Sequence, residues 1–437
     1  MEKSLLRNFG KYVSLNILGM MGLSCYILAD TYFVSKALGS IGIASLNISI
    51  SIYSMIHGIG LMIGIGGATR FCILQSQNKA ENSNIIFTTA IKIGILVGVV
   101  LAFVGLFGGK NLALILGADA LTLPLIKTYL STVLIFAPFF ITNNVMIAFI
   151  RNDNNPKLSM IAMLMGSFSN IALDYLFMFP LNMGMFGAAL ATGLAPIISI
   201  FILQFHFIKK TSKLTFLKVK MVWSSIFDIF GLGLSSLIIE VSSAVALITF
   251  NIIILDLEGN LGVAAYGIVA NLALVAIAIF SGLAQGTQPL VSKYFGIKEY
   301  TMVKKVSKYA LLTAVAIANM MFILLFVYSE SIIGIFNSEN NLQVAQMAES
   351  GLKIYFMGFF FAGINIVITM LLSATEKIKD ALRISISRGF LIIVPLVIIM
   401  SRIWHMNGVW FAFVITEILV LLMTLYFKKV RRKSLSP

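Results

Sequence analysis

Residues 170–192 read NIALDYLFMFPLNMGMFGAALAT: the end of one apolar stretch, a short polar break at Leu181–Asn182, and the start of a second apolar stretch. Each of these stretches is long enough to cross a bilayer, so the segment predicts a hairpin of two transmembrane helices. Asp174 lies well inside the first of them. A carboxylate in hydrocarbon is costly and is rarely kept without a partner or a function, which makes Asp174 a candidate functional residue.

The whole chain repeats this apolar pattern. Of its 437 residues, 59% are hydrophobic and only 11% are charged, and the mean hydropathy is +0.98, whereas soluble proteins carry about 25% charged residues. Twelve apolar stretches lie at about 12–35, 47–72, 85–108, 124–150, 157–180, 186–208, 226–256, 262–291, 307–335, 348–374, 381–404 and 406–428. We therefore expect an all-α integral membrane protein with twelve transmembrane helices. The first stretch has no A-x-A-type cleavage site, so we expect it to stay as a helix.

The basic residues are distributed unevenly between the two sides of such a bundle. If the N-terminus is inside, 27 of the 32 Lys and Arg residues fall on the inner side. The positive-inside rule then predicts that both termini are cytoplasmic. The net charge of +15 is accordingly expected to contact anionic lipid headgroups, and no nucleic-acid partner is expected.

Asp30 and Thr192 lie at the same depth as Asp174. Each of the three is about six residues from the outer end of its stretch, which corresponds to roughly 9 Å below the outer surface at a helical rise of about 1.5 Å per residue. Asn170 precedes Asp174 by four residues and therefore lies one turn deeper on the same helical face. Four oxygen-bearing side chains at this level predict a cage for a proton or for a hard cation such as Na⁺.

The chain also shows a weak internal repeat. The polar segment 209–220 leaves six apolar stretches on each side, and sliding the sequence over itself aligns Gly39 with Gly259, Gly42 with Gly262 and Gly66 with Gly286. Because six is an even number, the second copy enters from the same side as the first, which predicts a parallel repeat with a cavity between two rocking halves. We expect an N-terminal lobe at 1–208, a cytoplasmic linker at 209–220 and a C-terminal lobe at 221–437.

Several motifs resemble those of the MATE (multidrug and toxic compound extrusion) family, closest to its DinF-like and MepA-like bacterial branch. The similar segments are Asp30-Thr31-Tyr32-Phe33-Val34 with Leu38-Gly39, Asn170 to Asp174 with Gly184, Gly187 and Ala191-Thr192, Arg151 with Asn155-Pro156-Lys157, and Arg388-Gly389 with Pro395 and Gly408-Val409-Trp410. The resemblance extends over about residues 5–428. Two positions depart from the pattern: Asn16 and Tyr175 stand where the family usually has proline.

The resemblance implies a twelve-helix, two-lobed exporter that exchanges organic cations for inward H⁺ or Na⁺. In the DinF-like branch the coupling ion is held by two aspartates, an asparagine and a threonine, which map onto Asp30, Asp174, Asn170 and Thr192. The NorM-like branch has a second site in the C-terminal lobe with two acids. Glu240 stands at the first of these positions and Asn365 at the second, so both are candidate substrate-cavity residues, and Asn365 brings no charge.

Other expectations follow from the chemistry of single residues. Aromatic and Met side chains are expected to line the cavity, because rings attract cations and thioethers adapt to varied ligands; no single side chain, such as Phe140, Met146 or Met178, is assigned to it. His57 is expected to be a satisfied core histidine rather than a proton relay, and Glu417 to be either structurally paired or lipid-facing. The two cysteines, Cys25 and Cys72, are expected to pack as small apolar residues without a disulfide or a metal.

Two other functional classes compete with export. A flippase for a lipid-linked or other amphipathic molecule would need Arg or Lys facing the cavity, whereas the acids are the buried charges here. A membrane enzyme would need a metal site or a nucleophile and base, but His57, His206 and His405 are scattered and show no such spacing. The sequence thus favours a non-enzymatic transporter in a bacterial cytoplasmic membrane, acting as a monomer and needing no cofactor besides its coupling ion.

Overall fold

A computed structural model of the chain describes residues 2–208, 212–337 and 341–434, with side chains described between Lys3 and Phe427. The α-helices are α1 Glu2–Ser76, α2 Ala80–Ile115, α3 Leu123–Ile135, α4 Ala137–Asn152, α5 Pro156–Met178, α6 Gly184–Ile208, α7 Trp223–Gly296, α8 Tyr300–Val327, α9 Ser329–Phe336, α10 Leu342–Tyr355, α11 Phe359–Ala374, α12 Ile378–Ile386 and α13 Ile393–Ser434. A 3₁₀ turn at Phe356–Gly358 joins α10 to α11, and a π-helical segment at Ser387–Leu391 joins α12 to α13. The described residues contain no β-strand.

The helices account for twelve membrane spans. Within the described ranges, eight helical stretches are long and apolar enough to cross a membrane, and nine if the bent pair α3–α4, whose axes differ by 51°, counts as one. Three of these stretches are broken internally, at Gly39, at Gly259 and at Trp404–His405. Dividing them there gives twelve spans, six before the segment 212–222 and six after it, as the sequence predicted.

The breaks in α1 and α7 show the internal repeat directly. Gly39 has φ 65° and ψ −153°, and Gly259, its equivalent in the sequence repeat, has φ 61° and ψ −152°. This backbone conformation is open to glycine and strained for other residues, which explains the residue type at both positions. Asn78 and Lys298, which the same alignment pairs, have φ 60° and 62°. The predicted parallel repeat is therefore confirmed at the level of backbone geometry.

The buried apolar residues form two clusters, one in each half of the chain. The start of α1 is an exception, because Leu5, Phe9, Tyr12 and Val13 pack in the cluster of the second half. The first helix thus contacts both halves. The exact lobe boundaries, 1–208 and 221–437, stay a prediction.

The described part of the predicted linker runs without regular secondary structure along the first half. The amide of Thr215 donates to Asn84 Oδ1 at 3.0 Å, that of Leu217 to Thr88 Oγ1 at 3.1 Å, and Lys92 Nζ to the carbonyl of Val219 at 2.7 Å. Residues 209–211 of this predicted linker, and the basic side chains at 428–433, lie outside the described residues. We call the end of the bundle that carries the segments 77–79, 153–155, 212–222, 297–299 and 375–377 the basic end.

Glycines let the two halves touch in the part of the bundle nearer the basic end. A Cβ added at Gly286 would lie 2.8 Å from the carbonyl oxygen of Tyr12, and one added at Gly66 would overlap the carbonyl of Ile229. Gly66 and Gly286 are equivalent positions of the internal repeat, so each half offers the same kind of contact to the other. The small residues in these helices therefore serve close backbone packing, as is common in membrane helices.

Candidate functional site

A cavity of about 300 Å³ lies between the two halves. Its wall is rich in tyrosine and contains the side chains of Asp30, Glu240 and Glu417. The aromatic and imidazole side chains in the wall are Tyr26, Tyr53, His57, Tyr129, Phe250, Tyr266, Tyr355 and Phe413. Because α1, α7 and α13 all contribute, a movement of one half relative to the other would change the shape of the cavity.

The four predicted cage residues come together in the first half. Asp174 and Asn170 are fully buried on α5, and Thr192 is 2% exposed on α6. Asp30 is 6% exposed on the first arm of α1, the part before the break at Gly39. One orientation of the Asn170 amide satisfies both of its ends: Nδ2 donates to Asp174 Oδ2 at 3.0 Å and the oxygen accepts from the backbone amide of Thr192 at 3.2 Å. Asn170 therefore ties Asp174 to α6.

Asp30 belongs to this group for two reasons: its carboxyl interacts with that of Asp174, and it lines the same cavity as Thr192. Its carboxyl is close enough to that of Asp174 for the two charges to interact. Asp30 and Thr192 line the cavity, while Asp174 lies behind the wall. One carboxyl oxygen of Asp30 and one of Asp174 have no hydrogen-bond partner among the described residues. Buried oxygens without a donor are a strong reason to expect a proton or a cation between these side chains.

The oxygen atoms of these four side chains are suited to bind a proton or a hard cation. Carboxylate, amide and hydroxyl oxygens are the ligands of hard cations. Two carboxylates close together in a dry site also favour holding a shared proton, because two like charges repel there. No group of three or more His, Cys, Asp or Glu side chains able to hold a metal is found in the described part of the chain. The choice between H⁺ and Na⁺ stays open.

Glu240 is a second acid in the cavity wall, on the first arm of α7, the part before the break at Gly259. It is half-buried and lines the wall. A Cβ added at Gly58 would lie 3.1 Å from Glu240 Cβ, and the hydroxyl of Tyr53 is near enough to interact with the carboxyl. Glu240 is thus positioned where the two halves meet, and its charge faces the space that a ligand would occupy.

Asn365 is fully buried behind the cavity wall, in contact with a residue that lines it. Its Nδ2 donates to Glu417 Oε2 at 2.8 Å and to the carbonyl of Glu417 at 2.9 Å. Glu417 also accepts from Arg388 Nε at 2.5 Å. The structure therefore connects Asn365 with Glu417 and Arg388 rather than with Glu240, the residue that the motif pairs it with. The lipid-facing alternative for Glu417 is wrong, because this residue is 1% exposed.

The Arg388–Glu417 pair is specific to the second half. Asn154 and Glu376, both with positive φ, hold equivalent places in the two halves, and in that register Arg388 corresponds to Gly166 and Glu417 to Ala195. Those two small residues pack directly on each other in the first half. Arg388 lies in the π-helical segment, whose wider turn redirects side chains and often marks a functional site. No sequence pattern predicted this π turn.

The cavity lining is aromatic, as expected, but it is poor in methionine. Phe140, Met146 and Met178 are buried in the core of the first half, away from the wall, and Met20 is the methionine in the wall. Tyrosines predominate instead. His57 stacks on Tyr53 with an interplanar angle of 8°, and the amide of Asn144 lies 3.4 Å from its Nδ1, so it is a hydrogen-bonded histidine that also faces the cavity. Cys25 and Cys72 are free thiols.

A buried pair at the basic end was not expected from the sequence. Asp153 Oδ2 lies 2.8 Å from His206 Nε2 and accepts at 2.8 Å from the backbone amide of Lys213, near the beginning of the described linker. The amide of Asn155 lies 3.1 Å from His206 Nδ1. Asp153 follows Arg151 in the predicted inner loop, but its partner is at the far end of α6, so only the packing of α6 against this loop reveals it.

Twelve apolar spans, two related halves and an acid-bearing cavity between them define a polytopic transporter-like fold. The family model described as MatE matches residues 16–176 and 235–399, which is most of the chain. The chain belongs to the MatE family. Curated relatives include the multidrug export protein MepA of Staphylococcus saprophyticus, 26% identical over 394 residues, and that of Staphylococcus aureus, 26% identical over 395 residues. Each alignment covers 90% of this chain and 86% of the relative.

Solved structures agree on the fold. A multidrug resistance MATE family transporter of the MOP superfamily, in an outward-facing conformation, matches with a TM-score of 0.91 at 20% identity, covering 98% of this chain and 96% of that one. A MATE transporter of Vibrio cholerae, VcmN, matches in variant form with a TM-score of 0.90 at 20% identity, covering 99% and 98%. At this level of identity the likeness shows the fold alone.

Proposed function

We propose that this chain exports organic, mostly cationic compounds across a bacterial cytoplasmic membrane in exchange for inward H⁺ or Na⁺. The observation that carries the proposal is the position of Asp30, which lines the shared cavity and interacts electrostatically with the buried Asp174. An ion at the cage can therefore alter the charge that the cavity presents. The names of the MepA relatives and membership of the MatE family support export of several drugs as the activity.

The cage would act as the coupling site. A proton or Na⁺ arriving from outside is shared by Asp30 and Asp174 and neutralises one of their two negative charges, while Asn170 and Thr192 keep the two helices α5 and α6 in register around them. Loss of negative charge weakens the hold on a cationic substrate and removes the repulsion that keeps the acids apart. The substrate then leaves to the outside, and the ion leaves when the cavity next faces the cytoplasm. This cycle is alternating access between the two halves.

The wall of the cavity suits amphipathic cations. Tyrosine and phenylalanine rings attract positive charge and offer a large apolar surface. Glu240 would add a second acidic group to the wall besides Asp30, so that a cation has more than one negatively charged partner in the cavity. Such a wall distinguishes ligands by charge and size more than by a fixed pattern of hydrogen bonds, which agrees with a broad substrate range.

The flippase alternative depends on a basic side chain available in the cavity. Arg388 is the one Lys or Arg side chain in the described part of the wall, and it is held at 2.5 Å by Glu417. An anionic headgroup would have to displace that carboxylate. Efflux of cations is therefore the better-supported function.

The proposal includes a location and an arrangement. The basic end faces the cytoplasm together with both termini, and the excess of Lys and Arg there contacts anionic lipid. The cavity is complete within one chain, so a monomer suffices, and no cofactor besides the coupling ion is needed.

The decisive experiment is ethidium efflux from cells that overproduce the protein, with the pH gradient and the Na⁺ gradient collapsed separately. Export should stop when one of the two gradients is removed. Equal efflux without either gradient, at equal expression, would rule out the proposed antiport. Loss of efflux for the variant Asp30→Asn, with unchanged amounts in the membrane, would assign the coupling to the cage.

A further inference from the structure

Arg151 is a buried cation that has no carboxylate partner in the described part of the chain. It lies in the last turn of α4 and is 1% exposed. Its Nη1 donates to Asn16 Oδ1 at 2.7 Å and to Gln285 Oε1 at 3.1 Å, and its Nε has no partner among the described residues. The ion pairs found between described side chains do not include Arg151. A charge buried with only neutral acceptors destabilises the state that buries it.

Both acceptors come from helices that meet at the contact between the two halves. Asn16 is on the first arm of α1 and Gln285 on the second arm of α7, and they are 3% and 6% exposed. Asn16 Nδ2 also donates to the carbonyl of Gly282 at 2.9 Å, so this one side chain bridges α4 and α7. A proline at position 16, the residue usual in the family pattern, could make neither bond. The arrangement is therefore a property of this chain.

The contact around Arg151 is tightly packed. A Cβ added at Gly282 would lie 2.7 Å from Ile17 Cα. One residue beyond Arg151, Asn152 and Gln288 exchange side-chain hydrogen bonds of 2.9 and 3.1 Å across the same contact. If the two halves separated at the basic end, Arg151 would regain water, while Asn16 and Gln285 would lose their charged donor.

We propose that Arg151 is a positioning residue of the transport cycle: its buried charge favours opening at the basic end, and Asn16 with Gln285 offsets this enough to keep that end closed. The inference rests on the proposed alternating access, but its signature does not require transport. If Arg151 were an ordinary latch, every loss of these hydrogen bonds would favour opening. If its charge is the driving element, removing the charge favours closure, and removing an acceptor favours opening.

The chain carries its own reporter of opening at the basic end. Cys72 is 6% exposed, its Sγ donates to the carbonyl of Pro289 at 3.4 Å, and it lines a second cavity, of about 250 Å³, between the halves. Cys25 is the one other cysteine of the sequence. In a Cys25→Ala background, the rate at which a maleimide modifies Cys72 in purified, detergent-solubilised protein therefore measures how often this contact opens.

The single variants Asn16→Ala and Arg151→Gln are expected to change the modification rate of Cys72 in opposite directions. Asn16→Ala should speed Cys72 modification about tenfold, because a buried charged hydrogen bond is lost. Arg151→Gln, which keeps a donor amide without the charge, should slow it severalfold. Asn16→Ala combined with Arg151→Gln should react more slowly than Asn16→Ala alone, because both lose the hydrogen bond from Asn16 to the carbonyl of Gly282 but only the single variant still buries the charge. Arg151→Lys keeps the charge and should not slow the reaction. Ser235→Ala, which removes the 3.0 Å hydrogen bond to Ser373 inside the second half, is the control and should leave the rate unchanged.

Faster modification in Arg151→Gln than in the parent, or equal rates in all variants, would overturn the proposal. Complete modification of one thiol per chain in SDS, and a single gel-filtration peak, would show that each variant is folded and quantified correctly. The outcome is independent of ethidium efflux. A variant set with the expected rates and no efflux in the parent would keep this inference and reject the proposed function.

Discussion

Asp30 and Asp174 lie on different helices and interact electrostatically, yet only Asp30 lines the cavity, because Asp174 is fully buried behind the wall. One acid is thus open to a ligand and the other is sealed next to it. Under the proposed coupling, a charge change at the sealed acid would act on the cavity through Asp30. Both acids would then be needed for transport, although only one of them can touch a ligand.

Asp30→Asn is expected to abolish ethidium efflux while leaving the protein folded in the membrane, because asparagine resembles a permanently neutral carboxyl. The measurement is efflux per amount of protein, compared with Asp119→Asn as a control. Asp119 is exposed in the segment between α2 and α3, where hydrogen bonds from Thr122 hold the pKa of its carboxyl below the usual range. Efflux at the parent level in Asp30→Asn cells would make the cage structural.

Asp174→Asn should also stop efflux, whereas Thr192→Ala should reduce it by less. Asp174 contributes a charge and accepts from Asn170, while Thr192 contributes one neutral hydroxyl, whose own hydrogen bond goes to the carbonyl of Ala188 at 2.9 Å. We expect Thr192→Ala to require a steeper ion gradient for the same efflux. The test is the dependence of efflux rate on the gradient, and equal loss in both variants would contradict this ranking.

Much of this site could be predicted because its information is local. Depth along each apolar stretch placed Asp30, Asp174 and Thr192 at one level, and the helical spacing placed Asn170 on the face of Asp174. Helical periodicity and span length are enough for such statements, since the bilayer fixes the ends of the helices. The internal repeat was visible in the sequence for a related reason. Gly39 and Gly259 have a backbone conformation that favours glycine, so the residue type is the same in both halves.

The remaining features depend on packing between distant segments. His206 meets Asp153 only because α6 returns to the loop before α5, and Asn365 meets Glu417 only because α11 packs on α13. No single Met or Phe could be assigned to the cavity wall from the sequence, since hydrophobic character alone cannot distinguish the core of one half from the surface between halves; Phe140, Met146 and Met178 lie in the core. The π-helical segment around Arg388 breaks the regular helical period on which prediction from a sequence relies.

The linker should be accessible from the cytoplasm. Thr215 precedes an exposed phenylalanine in the irregular segment that follows α6. In a background with Cys25→Ala and Cys72→Ala, a membrane-impermeant maleimide should label Thr215→Cys in inverted vesicles and not in intact cells. Leu121→Cys, in the segment between α2 and α3, should show the opposite pattern. Labelling of position 215 from outside would reverse the orientation assigned to all twelve spans.

Glu417→Gln should destabilise the second half, because it leaves Arg388 partly buried without its carboxylate. Breaking such a buried pair costs about 3 kcal/mol, which should lower the apparent unfolding temperature of the purified protein clearly. Glu349→Gln is the matched control, since it breaks the partly exposed 2.6 Å pair with Lys353, a type of contact that contributes at most about 1 kcal/mol. Equal unfolding temperatures for the two variants would show that the Arg388–Glu417 pair is not structural.

Glu240→Gln separates substrate attraction from ion coupling. If Glu240 attracts the cationic substrate, the variant should bind cations about tenfold more weakly or worse, because one charge at close range in a partly dry cavity contributes a few kcal/mol. Binding of a neutral substrate should change little, since that Coulombic attraction does not act on it. Asn365 cannot compensate, because its amide is held by Glu417 behind the wall. Binding to purified protein, measured for a cation and for a neutral compound of similar size, is the direct test. Equal loss for both ligands would instead assign Glu240 to ion coupling and would indicate a second ion site in the half that carries Glu417.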